Sequence, residues 1–208
     1  MTSGPGRGGG ASPPERWLFV GFWVALFLLG LVAWSPFPAG VWHDDGVYVL
    51  LGRALASGEG LRYTGVVGAP PAPKFPPLYP LTLAGLWRLL DGVGPVTVAA
   101  SLLNLGLLAT AGALFARILR RRLAVPLSRA LGLAAVAWLP LTLWRSALVP
   151  FSEPLFILAL VVALGAALRV EERPGDRGAL GLLVAASLVA MHVRTAGVVV
   201  VAAGAGAL

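Results

Sequence analysis

Residues 17–34 read WLFVGFWVALFLLGLVAW, an apolar run without a charged side chain. A helix needs roughly 20 such residues to cross the hydrocarbon core of a bilayer. Three further runs, 95–119, 127–144 and 154–170, qualify or come close, and a fifth apolar stretch covers 179–208. The sequence therefore predicts an all-α protein, a polytopic transmembrane helical bundle with five spans.

Composition supports a membrane protein, because 58% of the 208 residues are hydrophobic and only 12% are charged. Cysteine is absent, so disulfides and thiolate metal sites are excluded. Residues 1–16 are rich in Gly, Pro and Ser and are expected to form a disordered cytoplasmic tail ahead of a membrane domain at 17–208. Because the last apolar stretch has no polar stop, we expect this domain to be incomplete at its C-terminus.

The arginines predict the topology. They cluster after the second and fourth spans, at Arg117, Arg120, Arg121, Arg122 and Arg129, and then at Arg169, Arg173 and Arg177. Short basic loops stay in the cytoplasm, which also accounts for the net charge of +7 without a nucleic-acid partner. The N-terminus is then cytoplasmic, and the loop 35–94 lies on the outer face of the plasma membrane.

Part of this outer loop is itself apolar. A helix over 80–91 rises only about 17 Å, which is too short to cross the bilayer core. If it did cross, both arginine clusters would face outward, so we interpret 78–90 as an interfacial or re-entrant helix. The predicted fold thus includes an outer-face loop that carries short amphipathic interfacial helices.

Asp44 and Asp45 open one of these short helices, since the apolar positions that follow them have helical spacing. The structural alternative is that Asp44 caps this helix and Asp45 interacts with its dipole, although capping needs only one such residue and does not explain the rest of the loop. Lys74 lies in a proline-rich strap, 69–77, whose extended backbone orients it. A snorkelling role for Lys74 and an aromatic-belt role for Tyr79 are the structural alternatives.

Arg194 interrupts the last apolar stretch, with His192 nearby. Burying a guanidinium in a span costs at least about 2.5 kcal/mol, so a partner is expected, either a lipid phosphate or Glu153. The alternatives are snorkelling of Arg194 from a half-helix end and helix capping by Glu153, which precedes Pro154. The sequence leaves open whether 179–208 is one long helix or two half-helices.

Taken together, these residues resemble the GT-C superfamily of membrane glycosyltransferases, especially the branch related to protein O-mannosyltransferases and lipid A aminoarabinose transferases. The resemblance is carried, in order, by segments 44–48, 74–80, 152–156 and 194–197. It implies the N-terminal part of a transmembrane module that transfers a hexosyl- or pentosyl-type sugar from a polyprenyl-phosphate carrier, with inversion, at the outer membrane face. Pro73 stands where the aminoarabinose transferases carry an acidic residue, so that group's substrate is not transferred to this chain.

The resemblance implies that Asp44 or Asp45 is the catalytic carboxylate and that Lys74 contacts the carrier phosphate. The chemistry of an inverting displacement agrees, because it needs a base for the acceptor's proton and cations for the departing phosphate. Lys74 and Arg194 are the candidate cations. The remaining candidates for substrate binding are Tyr79, Glu153 and His43.

The expected partners are the polyprenyl-phosphate sugar, membrane lipids, and a glycan, lipid or protein acceptor. No cofactor is predicted, since His43 and the two aspartates are not a sufficient ligand set for a divalent metal. The alternatives are a transporter, suggested by Arg194 and broken helices, and a non-catalytic membrane subunit. No internal repeat is apparent, and the polar residues are densest in the outer loop, which argues against a transporter.

Overall fold

The structure is a computed structural model that describes residues 13–34, 39–40 and 42–206. Within these ranges the chain is helical apart from connecting segments and one isolated β-bridge between Arg62 and Pro71, so the all-α fold class is confirmed. The helices are α1 (Pro13–Ala33), α2 (Asp44–Ala56), α3 (Leu78–Leu89), α4 (Val93–Leu123), α5 (Leu127–Ala137), α6 (Leu141–Leu148), α7 (Glu153–Glu172), α8 (Arg177–Val193) and α9 (Val198–Gly206).

The predicted disordered tail, 1–16, falls largely outside the described residues. Its last four positions, 13–16, are not a tail, because they form the first turn of α1. Helix α1 thus begins four residues before the apolar run. Glu15 in this first turn forms an ion pair with Arg120.

Among the described residues, three helices are long and apolar enough to cross a membrane: α1, α4 and α7, as predicted for 17–34, 95–119 and 154–170. The predicted span 127–144 is instead two helices, α5 and α6, which meet at an angle of 73°. Pro140 precedes α6, and a proline lacks an amide donor and disfavours a helical conformation at the residue before it. If α5 and α6 are counted together as one bent span, they form a fourth segment that could cross a membrane.

The long helices have definite relative directions. Helix α1 is antiparallel to α4, since Glu15 pairs with Arg120 and Trp23 Nε1 donates a hydrogen bond of 3.0 Å to Thr110. Helix α7 is parallel to α4, because Asn104 bonds the carbonyl of Phe151 and a later residue of α4, Arg122, bonds that of Leu168. We call the end where α4 and α7 begin the loop end, and the end where they finish the basic end.

Helices α2 and α3 pack against each other at the loop end. Trp87 Nε1 of α3 donates a hydrogen bond of 2.9 Å to the carbonyl of Val49 in α2. Gly52 permits close packing, since a Cβ there would lie 3.2 Å from the carbonyl carbon of Leu83. With 12 residues, α3 is too short to cross a bilayer core, in line with the sequence argument.

The last apolar stretch forms two helices that fold back on each other. A Cβ on Gly197 would lie 2.3 Å from the backbone of Ala190, and one on Gly204 would lie 3.5 Å from Leu183 and Ser187. Helix α9 therefore runs antiparallel along α8, after the single 3-10 turn Thr195–Gly197. The core between α7 and α8 is built mostly from alanines, which bring the two helices close together.

Candidate functional site

The four segments that carry the resemblance meet at the loop end. The Tyr48 hydroxyl of α2 lies 2.9 Å from Ser152 Oγ at the start of α7. The Tyr48 ring packs edge-to-face on Phe75 in the strap and on Tyr79 in α3, each with ring centroids 5.1 Å apart. Glu153, next to Ser152, forms an ion pair with Arg194 between α8 and α9. Residues far apart in the chain thus surround Tyr48.

Asp44 and Lys74 form an accessible ion pair. Asp44 is the first residue of α2, and its Oδ1 lies 3.6 Å from Lys74 Nζ. The side chains keep 44% and 71% of their surface exposed, respectively. A pair so exposed adds little to stability, so both groups remain available to a ligand.

Asp45 has a different environment, because its side chain is fully buried. The carboxylate accepts hydrogen bonds from three backbone amides: Gly40 at 2.9 Å, Trp42 at 3.1 Å and Gly46 at 2.8 Å. These bonds hold the turn that leads into α2. Of the two aspartates, Asp44 is the one that a ligand can reach, because Asp45 is enclosed by its own loop.

The alternative in which Asp44 caps α2 is wrong, because His43 occupies the N-cap position. His43 has a φ of 65°, in the left-handed region, and makes no side-chain capping bond. Its exposed side chain instead lines a cavity with Lys74. Glu153 likewise is not the cap of α7, since Ser152 takes that position.

Arg194 sits where the chain changes direction, in an extended conformation between α8 and the 3-10 turn. Its Nη1 contacts Glu153 Oε1, so the structure supplies one of the two partners expected from the sequence. The second oxygen of Glu153, Oε2, is buried and has no hydrogen-bond partner among the described residues. The ion pair therefore leaves one carboxylate oxygen unsatisfied.

Charged residues of both ion pairs affect the pKa of Tyr48. Burial raises the pKa of its hydroxyl, and the negative charges of Glu153 and Asp44 act in the same direction, against the Ser152 hydrogen bond and Arg194. The hydroxyl thus stays protonated at neutral pH. Tyr48 is a neutral group whose hydroxyl meets Ser152, the neighbour of Glu153.

Tyr79 is fully buried and is not exposed to a ligand. Its hydroxyl accepts a hydrogen bond of 3.1 Å from Asn104 Nδ2, and its burial raises its pKa. Asn104 Nδ2 also bonds the carbonyls of Val149, at 2.9 Å, and Phe151, at 3.0 Å. Tyr79 and Asn104 therefore have a structural role, since their hydrogen bonds connect α3, α4 and the segment before α7.

Asn104 was not predicted from the sequence, and Tyr48 and Ser152 had no predicted roles of their own. Asn104 had a detectable signal, since a lone carboxamide in an apolar span usually bonds a neighbouring helix. The Tyr48–Ser152 bond had no such signal, because neither residue is unusual in its local sequence.

An open cavity of about 540 Å³ lies beside Lys74. His43 and Lys74 are its basic residues, and the rest of the lining is largely apolar, including Val47, Leu50 and Phe75. Among the residues that the structure describes, no group of three His, Asp or Glu side chains could hold a metal ion. The site thus combines one accessible carboxylate, one accessible ammonium group and an apolar cavity.

Comparison with protein-family models, with curated proteins and with solved structures finds no match for this chain. What points to a function is therefore the set of side chains at the loop end and the resemblance of the four segments.

Proposed function

We propose that this protein is a membrane glycosyltransferase that moves a sugar from a polyprenyl-phosphate carrier to a hydroxyl acceptor, with inversion at the anomeric carbon. The observation that carries the proposal is the accessible pair of Asp44 and Lys74, 3.6 Å apart, beside an apolar cavity. A carboxylate and a cation in reach of the same ligand match the two demands of phosphate displacement.

The proposed reaction is a single displacement. The acceptor oxygen forms a bond to the anomeric carbon while the bond from that carbon to the phosphate oxygen breaks. The hydroxyl proton passes to the Asp44 carboxylate, and the electron pair of the broken bond stays on the phosphate. Lys74 stabilises the charge that develops on the phosphate, because a positioned cation is most effective where negative charge grows.

The apolar cavity supports a lipid-linked donor over a soluble one. Val47, Leu50 and Phe75 offer a surface for the isoprenoid chain of the carrier. Lys74 lines the same cavity and would bind the phosphate of the carrier. Glu153 and Arg194 form the second charged pair of the site, and we assign Arg194 to the carrier phosphate as well. We place the loop end on the outer face of the plasma membrane, because the arginines cluster at the opposite end.

The test is sugar transfer in membranes that contain the chain and a polyprenyl-phosphate sugar. Asp44→Asn should lower the rate by about 10²-fold or more, the usual contribution of a general base. Asp91→Asn is the matched control, since Asp91 is an exposed carboxylate in the connection between α3 and α4 at the same end. Lys74→Met should also lower the rate, and Lys74→Arg should restore part of it.

A folded Asp44→Asn protein with full transfer activity would refute the base assignment. The broken helix pair α5–α6 and the fold-back of α9 on α8 favour the transporter as the second candidate. Substrate uptake into sealed vesicles without any transfer product would select it.

A further inference from the structure

A groove of about 240 Å³ lies between α4 and α7 at the basic end, far along both helices from the candidate site. Its wall is apolar and includes Leu114, Ile118, Val161 and Val162, while Leu182 of α8 closes one side. Four arginines lie at its rim: Arg117, Arg121, Arg122 and Arg169. The groove is thus apolar along its length and strongly basic at one end.

Two of these arginines have acidic partners. Arg122 pairs with Glu171 and, at 3.5 Å, with Glu172, which also lines the groove. Arg169 lies 3.7 Å from Asp176. Their positive charge at the rim is therefore largely balanced.

Arg117 and Arg121 differ from these two. Both are exposed, and within residues 13–34, 39–40 and 42–206 neither has a hydrogen bond or an ion pair. Glu15, the nearby acidic residue of α1, pairs with Arg120 instead. The groove therefore presents two guanidinium groups whose charge is not balanced by any acidic side chain among the residues that the structure describes.

Arg117 also lines a second groove, between α1 and α4, together with Arg16, Phe19 and Trp23. This groove has a volume of about 410 Å³ and is again largely apolar. Arg117 thus lies between two apolar grooves on helices that are long and apolar enough to cross a membrane.

We propose that the groove between α4 and α7 is a binding site for an anionic glycerophospholipid, with its phosphate at Arg117 and Arg121 and an acyl chain along the apolar wall. The planar guanidinium group suits phosphate oxygens, which it can bind through two parallel N–H donors. The apolar wall selects a lipid over a soluble anion, because free phosphate would leave that wall unoccupied. This site is independent of the proposed glycosyl transfer, since it lies at the opposite end of the helices.

The test measures the association of spin-labelled phosphatidylglycerol and phosphatidylcholine with the purified chain in phosphatidylcholine vesicles. The wild type should favour phosphatidylglycerol. Arg117→Gln and Arg121→Gln should each lower this preference by about fivefold, the effect expected for one basic residue near an anionic lipid. Arg129→Gln is the matched control: Arg129 is exposed on α5 but does not line the groove.

An equal loss of preference in Arg129→Gln would overturn the proposal, because it would reflect a general attraction of the basic end for anionic lipids. Displacement of the labelled phosphatidylglycerol by inorganic phosphate at matched ionic strength would also overturn it, in favour of a soluble anion. A loss confined to Arg117→Gln and Arg121→Gln, without displacement by phosphate, supports the lipid site. Glycosyl transfer should be unchanged in both variants.

Discussion

The Tyr48 hydroxyl and the Ser152 Oγ lie 2.9 Å apart in the interior of the loop end, although 104 positions separate them in the chain. This bond joins α2, which carries Asp44, to the start of α7, where Glu153 meets Arg194. This bond and the aromatic rings around it are therefore one of the links between the accessible charged pair and the long helices.

We expect Tyr48→Phe to destabilise the protein by about 1 kcal/mol, the usual net contribution of a buried hydrogen bond. Its ring contacts with Phe75 and Tyr79 should remain. A double-mutant cycle with Ser152→Ala measures the pair directly through denaturant unfolding. Additive effects of the two substitutions would show that the bond is not made in the folded protein.

Asp45→Ala should destabilise the protein by about 2 kcal/mol or more, because it leaves the amides of Gly40, Trp42 and Gly46 without their acceptor. Asp44→Ala, at the neighbouring position, should cost less than about 1 kcal/mol because its partner Lys74 is exposed. Unfolding of the two variants under the same conditions compares them. If both lost the same stability, the separate roles of the two aspartates would be wrong.

Gly197→Ala should separate α9 from α8, because the added Cβ would lie 2.3 Å from the backbone of Ala190. Overpacking of this kind costs about 1–3 kcal/mol. Gly181→Ala provides the control within α8, since a Cβ there meets nothing within 4 Å and alanine favours a helix. Limited proteolysis near the 3-10 turn should increase in Gly197→Ala alone; increased cleavage in both variants would contradict the packing.

Low pH should remove the stabilising contribution of Asp176, which lies in the turn between α7 and α8. The hydrogen bond from the Ala179 amide, at 2.9 Å, lowers the pKa of Asp176 from its ordinary value of 3.8, and Arg169 and Arg173 act in the same direction. Because the folded-state pKa is the lower one, this contribution to stability is present above the ordinary value and is lost as pH falls through the folded-state pKa.

The unfolding temperature of Asp176→Ala should thus lie below that of the wild type at neutral pH, and the difference should narrow as the carboxyl group becomes protonated. Asp91→Asn is the control, since Asp91 lies at the other end of the helices. A difference that stays constant down to the lowest pH would contradict the role of the charge.

The sequence predicted the long helices well, because the length of an uninterrupted apolar run is itself the signal. It therefore found α1, α4 and α7 with small errors at their ends. It treated 127–144 as one span, although the break at Pro140 was visible, because the apolar run continues through it. The length of an apolar run does not report the angle between its two halves, so the bend of 73° was not predicted.

Part of the candidate site was also predictable. An arginine in an apolar stretch requires a partner, and Glu153 was one of the two expected for Arg194. The fold-back of α9 was not predictable, because Gly197 and Gly204 are ordinary small residues until α8 lies against them.

The amino-acid sequence by itself determined that this protein is helical, with several segments apolar enough to cross a membrane, and that its charges divide between two ends. Hydrophobic runs and basic clusters are local, so they can be read without a fold. Asp44 and Asp45 are identical neighbours, and only tertiary structure separates them. The backbone amides of the preceding turn enclose Asp45, whereas Asp44 faces the strap and meets Lys74.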